Sequence, residues 1–185
     1  QRESDKILLS KIDRLLPLAP APLAVLDLCC STGNLLFHLK NRHPDVRLCG
    51  ADLAADIIQK NREDQGLDGI AFRVADIVKD DLRDVLGEFS VVTVNAALQF
   101  LGSAELAAAV KNIAPVIKSG GYFLNFDGYQ PYSQELMVRA KTKLYPQGVT
   151  RYYPHMGWMS DLLAAHGFED IVFEEFEIPI DLPES

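Results

Sequence analysis

The 185-residue sequence lacks both a cysteine framework and a long apolar run. It has three cysteines, and the adjacent pair Cys29 and Cys30 fits neither a disulfide framework nor a zinc site. We therefore expect free thiols in a reducing compartment and no bound metal. No apolar stretch approaches the roughly 20 residues of a membrane span, and the first residues contain no signal-peptide hydrophobic segment. These absences predict a cytoplasmic protein that has no membrane partner.

Positive charge is also scarce. Lys and Arg total 18 against 26 Asp and Glu, which gives a formal net charge of −8. Proteins that bind nucleic acid need clustered cations to displace counterions. The sequence therefore predicts a small-molecule substrate and no nucleic-acid partner. Its length and 48% hydrophobic content fit a single domain spanning residues 1–185.

Strand-like and helix-like segments alternate along most of the chain, which favours an α/β fold with a doubly wound, mostly parallel sheet. The predicted strands are 24–29, 47–52, 71–76, 90–96, 121–127 and 170–178. The predicted helices are 4–16, 33–42, 54–65, 103–114, 132–143 and 157–166. The segment 127–156 stands out because it carries five tyrosines (Tyr129, Tyr132, Tyr145, Tyr152 and Tyr153) together with His155.

A nucleotide-type site is indicated where the first strand meets the next helix. The apolar strand contains Asp27 and runs into small residues that end at Gly33. Small side chains let a ligand approach the backbone closely, and the helix N-terminus behind them offers free N–H groups. The second strand ends at Asp52, where an acid can accept hydrogen bonds from a ribose diol.

Five ordered segments resemble motifs of the class I S-adenosylmethionine-dependent methyltransferases. They are 26–33, similar to the glycine-rich first motif, then Asp52, 73–77, 89–101 and 117–122. The resemblance implies a three-layer Rossmann-like fold and methyl transfer from S-adenosyl-L-methionine to a small molecule by in-line displacement, with S-adenosyl-L-homocysteine as product. It also implies cofactor contacts at Asp27, Cys29, Ser31, Gly33, Asp52, Leu53, Asp76, Ile77 and Asn95. Asp27 would face the cofactor's amino group, Asp52 the ribose, and Asp76 and Ile77 the adenine.

The sequence departs from the family pattern at three places. Cys29 and Ser31 stand where the first two glycines are usual, and small side chains fit there if their φ angles stay negative. The segment 95–98 lacks the two prolines found in many nucleic-acid amino-methyltransferases. The sequence reaches Ser185 soon after the predicted sixth strand, where the family usually adds a seventh. We therefore expect either a fragment of a longer polypeptide or a sheet edge that is built differently, and an exposed strand there would favour a homodimer.

The resemblance also suggests where an acceptor would bind. Helix 4–16 and segment 127–156 are predicted to form a lid over the strand ends. Within that lid, Tyr153 and His155 are the candidate catalytic residues, since a hydroxyl or carbon acceptor would need a base. The tyrosines favour a flat or aromatic acceptor.

Three other functions remain open at this stage. The chain could be a non-catalytic binding module that keeps the fold, which the two missing glycines would explain. A NAD(P)-dependent oxidoreductase is disfavoured because the sequence has no G-x-G-x-x-G. Residues 30–33 and 98–101 also resemble enzymes that use carboxylated S-adenosylmethionine, a role that requires an arginine facing the donor group, and the sequence does not identify one.

Overall fold

The computed structural model describes residues 3–141, 143 and 145–176. Its helices are α1 (Glu3–Leu15), α2 (Asn34–Arg42), α3 (Ala55–Glu63), α4 (Leu82–Leu86), α5 (Ser103–Ile113) and α6 (Met156–Ala165). Its strands are β1 (Ala24–Leu28), β2 (Arg47–Asp52), β3 (Ala71–Val74), β4 (Phe89–Asn95), β5 (Ile117–Phe126), β6 (Leu136–Ala140) and β7 (Val149–Tyr153).

Strands β1 to β5 form one sheet in the order β3-β2-β1-β4-β5, and every pair is parallel. The chain builds one half of the sheet from β1 through β3 and then crosses to β4 on the other side of β1. In open parallel sheets a ligand crevice opens at this reversal, beyond the carboxyl ends of the strands. The topology thus places the ends of β1 and β4 at the centre of a candidate site.

The core lies on both faces of this sheet. Strand β1 is buried along its whole length, as expected for a strand that is covered on two sides. One hydrophobic cluster joins the sheet to α1, α2 and α3, and the other joins it to α5 and α6. The predicted three-layer α/β architecture is confirmed, and the helices and strands up to residue 126 lie close to their predicted positions. The short helix α4 was not predicted.

The helix predicted at 132–143 is wrong. Residues Leu136–Ala140 form β6, which pairs in antiparallel register with β7. Strand β7 is composed of valine, threonine, arginine and tyrosine. Most of these residue types favour strands. The register of β6 depends on this partner, which is distant in sequence, so local periodicity did not reveal it.

The strand predicted at 170–178 is also wrong for its described part. Residues 171–176 belong to no strand, and residues 177 and 178 lie outside the described residues. The alternation of Ile171 and Phe173 instead reflects packing, since both side chains lie against the core cluster formed with α5 and α6. Strand β5 is the outer strand of the described sheet on that side. The missing seventh strand and the homodimer stay predictions.

The remaining expectations concern cysteines and membranes. Cys29, Cys30 and Cys49 are all free thiols, as predicted. Within the described residues, no helix is both long enough and apolar enough to span a bilayer.

Candidate functional site

The loop between β1 and α2 has a left-handed backbone at three positions. The φ angles are 56° at Cys29, 47° at Ser31 and 71° at Gly33. The condition of negative φ angles at Cys29 and Ser31 is therefore not met. A non-glycine residue in this region costs roughly 1–2 kcal/mol, so the loop keeps a glycine-type geometry despite its side chains. Backbone strain of this kind is concentrated at ligand sites.

Side chains from β2 and α3 hold this loop in place. The Asp52 carboxylate accepts hydrogen bonds from the backbone N–H of Ser31 at 2.9 Å and of Ala54 at 3.0 Å. Asn61 of α3, which is buried, donates to the Ser31 carbonyl at 2.7 Å. Each Asp52 oxygen thus keeps acceptor capacity for a further donor. Asn61 was missed from the sequence, although an asparagine on the buried face of a short helix is itself a signal.

The thiols of the loop are chemically quiet. Burial raises the pKa of Cys29 to about 12, and nearby carboxylates, Asp52 first, add to that effect. Burial likewise raises the pKa of Cys30, whose sulfur lies beneath the loop in the core. Because the thiolate is the reactive form, neither cysteine is suited to be a nucleophile. The predicted cofactor contact of Cys29 stays a prediction.

A buried carboxyl lies directly under the loop. Asp27 is 3% exposed, and its Oδ1 accepts a hydrogen bond from the Thr93 hydroxyl of β4 at 2.7 Å. Burial raises the pKa of Asp27 to about 7, and the negative charges of Asp5 and Asp52 raise it further, while the Thr93 bond opposes the shift. The proton of this carboxyl is therefore exchanged near neutral pH.

Helix α1 contributes a second buried acid, Asp5, which the sequence analysis missed. Asp5 is 2% exposed, and its carboxylate accepts hydrogen bonds from the side-chain amides of Asn34 and Asn95, the latter at 3.0 Å. The signal was present, because Asp5 shares a helix face with Leu8, Leu9 and Ile12. An acid on an apolar stripe needs a polar partner or a ligand.

Asn95 connects this acid to the end of β4. Its amide nitrogen binds Asp5, whereas its Oδ1 is buried and finds no hydrogen-bond partner among the described residues. No lysine or arginine in the described part of the chain forms an ion pair with Asp5, Asp27 or Asp52. Three carboxyls and one free carbonyl oxygen therefore converge where a cationic, hydrogen-bonding group would be stabilised.

The predicted adenine residues lie at the end of β3. Asp76 closes a turn, with Oδ1 accepting from the Val78 N–H at 2.9 Å and Oδ2 lying 3.4 Å from Lys79 Nζ. Ile77 is buried in the core, whereas Leu53, after β2, is 65% exposed. An exposed leucine beside Asp52 offers an apolar surface to a flat ring. The turn geometry of Asp76 accounts for that residue structurally and leaves its binding role untested.

A second network orders the chain after β4. Asp127, just beyond β5, accepts hydrogen bonds from the N–H groups of Leu98 at 3.1 Å and Gln99 at 3.3 Å. Asn125 donates to Asp127 at 2.8 Å and accepts from the Tyr129 hydroxyl. Burial raises the pKa of Asp127 and of Tyr129. Side chains at the end of β5 thus fix the turn that follows β4. The sequence analysis did not identify Asp127 or Asn125 in this role.

The two candidate catalytic residues lie on the segment 127–156. His155 begins α6 as its N-cap, and its Nδ1 accepts from the Trp158 N–H at 3.0 Å. A neutral imidazole in this arrangement carries its proton on Nε2. Tyr153 packs against Gly128, where an added Cβ would lie 2.5 Å from the ring. The catalytic roles of both residues remain predictions.

His155 also borders a pocket of about 180 Å³. Its lining consists of Ser103, Glu135, Pro154, His155 and Trp158. This pocket lies between the N-termini of α5 and α6. The Ser103 hydroxyl donates to the Glu135 carboxylate across it, at 3.2 Å.

Comparison with known proteins gives matches over the same elements. Residues 25–121 match the model of a family described as "Methyltransferase domain". The chain is 31% identical over 108 residues to tRNA N(3)-methylcytidine methyltransferase trm141 of Schizosaccharomyces pombe, covering 56% of this chain and 43% of that protein. It is 29% identical over 145 residues to carboxy-S-adenosyl-L-methionine synthase of Campylobacter concisus, covering 75% and 60% respectively.

A solved structure extends the comparison to the fold. CalS10, an amino pentose methyltransferase from Micromonospora echinaspora solved with SAM bound, superposes with a TM-score of 0.69 at 20% identity. The alignment covers 90% of this chain and 84% of CalS10. At that identity the likeness concerns the fold.

The matched region includes most of the candidate site. It contains the β1–α2 loop and Asp27, Asp52 and Asn95, and it excludes α1 and the segment 127–156. The chain spans about half the length of the curated relatives that it matches. The chain belongs to the methyltransferase domain family.

Proposed function

We propose that this chain binds S-adenosylmethionine at the carboxyl ends of β1, β2 and β4 and transfers its methyl group to a small molecule. One observation carries the proposal. The left-handed loop of Cys29, Ser31 and Gly33 opens onto buried carboxyls that have no cationic partner among the described residues. Family membership and the SAM-bound neighbour CalS10 support the same ligand.

The charges of the site suit this cofactor. S-adenosylmethionine supplies a methyl group activated by a positively charged sulfonium, and it also carries an ammonium group. Asp27 and Asp5 would face these positive charges from within the fold, and Asn95 Oδ1 would accept a hydrogen bond. Asp52 would accept from the ribose hydroxyls through the acceptor capacity that its backbone bonds leave free.

The adenine would lie on the apolar surface beside this acid. Leu53 is exposed next to Asp52. If the Asp52 carboxylate binds the ribose, the adenine attached to that ribose would reach the Leu53 side chain. We retain Asp76 as an acceptor for the adenine amino group. Ile77 is largely enclosed in the core, so it would contribute the floor beneath the ring rather than an open face.

The protein's contribution to the transfer is position. The Asp127 bonds fix the turn that follows β4, and α1 is anchored over β4 through Asp5 and Asn95. The acceptor would enter beneath α1 and the segment 127–156, so that its nucleophile lies in line with the methyl group. An amine acceptor needs no base, whereas a hydroxyl acceptor would use Tyr153 or His155. For His155 the base would be Nδ1 after release of the Trp158 N–H, because Nε2 of the neutral ring carries the proton.

Binding of the cofactor is the direct test. Titration calorimetry of the purified chain should give a single site for S-adenosylmethionine and for S-adenosylhomocysteine. The variant Asp52→Ala should bind both more weakly, because the ribose loses a charged acceptor. Asp56→Ala is the matched control, since Asp56 is exposed in the first turn of α3. Absence of binding by the parent chain would refute the proposal and favour a non-catalytic module.

A carboxylated form of the same cofactor is the second candidate donor. The Campylobacter relative, named as a synthase of that compound, aligns over three quarters of this chain. Mass spectrometry of the ligand that copurifies with the protein distinguishes the two donors. Acceptor assays should include tRNA beside small molecules because of the name of the fission-yeast relative, although the net charge of −8 favours a small molecule.

A further inference from the structure

We propose that Arg151 binds a carboxylate on the methyl acceptor, and that the acceptor is an apolar or aromatic acid. This inference rests on the proposed function and names the substrate class of that site. Its basis is an unpaired guanidinium on an otherwise apolar face, next to the strand ends where the acceptor would enter.

The side chain of Arg151 has no hydrogen-bond or ion-pair partner within the described part of the chain. Its Nε is buried without a hydrogen bond, and no described carboxylate forms an ion pair with it. Its guanidinium instead lies 5.9 Å from the centre of the Phe100 ring. A buried donor that is left unsatisfied is costly, and acids outnumber bases in this protein by 26 to 18. An arginine that remains unpaired under these conditions is suited to a ligand.

The face around Arg151 is apolar. Residues directly opposite each other in an antiparallel pair project to the same side, and Arg151 lies opposite Val138, with Leu136 opposite Tyr153 and Ala140 opposite Val149. Leu136 and Val138 are 45% and 40% exposed. The whole stretch 136–153 contains no Asp or Glu. A ligand on this face would therefore meet mostly hydrocarbon surface, Tyr153 and one fixed positive charge.

The face of β6 and β7 that carries Arg151 lies next to the candidate site. Tyr153 packs on Gly128, just beyond the end of β5, and β7 packs on the turn Leu98–Phe100 beyond the end of β4. Both neighbours lie at the carboxyl edge of the sheet. The guanidinium presents paired N–H donors that match the two oxygens of a carboxylate, and the 41% exposed ring of Phe100 offers a flat surface beside it.

The inference is tested by comparing the binding of two probes, benzoate and benzamide. They have similar shapes, but only benzoate carries a negative charge. With S-adenosylhomocysteine present, NMR titration should show benzoate binding about tenfold more tightly than benzamide, as expected for one charge-assisted contact. Arg151→Gln should abolish this preference by weakening benzoate alone, and Arg151→Lys should keep part of it. Arg139→Gln is the control, since Arg139 lies opposite Thr150 on the other face of the ribbon and should leave the preference intact.

Several outcomes would overturn the inference. Equal binding of the two probes would do so, as would an equal loss in the Arg139→Gln variant. If Arg151→Gln instead weakens a carboxylated donor relative to S-adenosylmethionine and leaves benzoate unchanged, the carboxylate belongs to the donor and the acceptor assignment is wrong. Titration of S-adenosylhomocysteine alone separates the two hypotheses, because its failure to bind refutes the proposed function whichever way the benzoate result falls.

Discussion

The buried carboxyl of Asp27 should make the protein less stable as the pH rises toward neutrality. Its pKa is raised from 3.8 to about 7 in the folded state, chiefly by burial. Between these two values the folded chain holds a proton that the unfolded chain has released. The stabilisation is therefore complete below the unfolded pKa and is lost as the pH passes through the folded pKa.

The size of this effect follows from the shift. One pKa unit corresponds to about 1.4 kcal/mol, so the full shift is worth roughly 4 kcal/mol of unfolding free energy. The substitution Asp27→Asn keeps the shape and an oxygen that can accept from Thr93, and it removes the titration. Relative to the parent, this variant should gain stability by about 1.4 kcal/mol per pH unit between about pH 5 and about pH 7.

Urea denaturation of both proteins across this range measures the difference directly. Titration of the other acids affects both proteins alike and cancels. Asp56→Asn, the same change at an exposed acid, is the matched control for the substitution itself. A difference between Asp27→Asn and the parent that stays constant with pH would mean that the Asp27 carboxyl stays ionised throughout, and the argument from burial would be refuted.

Four further outcomes are expected, at the β1–α2 loop, at α6 and in the lid. Cys29→Gly should raise the unfolding free energy by about 1 kcal/mol, since glycine relieves the left-handed φ, and an unchanged urea midpoint would contradict this. Asp52→Ala should weaken S-adenosylmethionine binding in calorimetry by roughly 1.5–3 kcal/mol, and unchanged binding would remove Asp52 from the site. His155→Ala should cost about 1 kcal/mol in thermal unfolding through loss of the α6 cap, while His155→Asn keeps it. Hydrogen exchange over 127–156 should slow when cofactor and acceptor bind, and unchanged exchange would argue against a lid.

The sheet was predictable because its strands are short and buried. The helices between them also have apolar residues at clear helical spacing. Strand β4 is buried at six successive positions, and such a run has few alternatives in an α/β protein. The ribbon β6–β7 was not predictable in this way. Leu136 and Val138 lie on an exposed face, so the hydrophobic pattern that fixes register in a core is absent there.

The sequence predicted the strand ends at which the candidate residues lie, but not the side-chain contacts between elements that are distant in sequence. Asp52 ends β2, as predicted, and its bond to the β1–α2 loop was not anticipated, while its ribose contact stays a prediction. Asp127 and Asn61 reach their partners across 29 and 30 residues of sequence. Spacing along the chain contains no information about such contacts, because the packing of α3 and β5 creates them.

The left-handed loop and the buried acids share a physical cause. Each is unfavourable in the free protein, the loop through the φ angles of Cys29 and Ser31 and the acids through burial and mutual repulsion at Asp27. Neither is needed to form the sheet, whose stability comes from the two apolar clusters on its faces. Such features are concentrated at functional sites, so both support the proposed binding of a cationic ligand. A cationic ligand seated on the loop would relieve the repulsion between the carboxyls, so part of its binding energy is already present as strain in the unliganded protein.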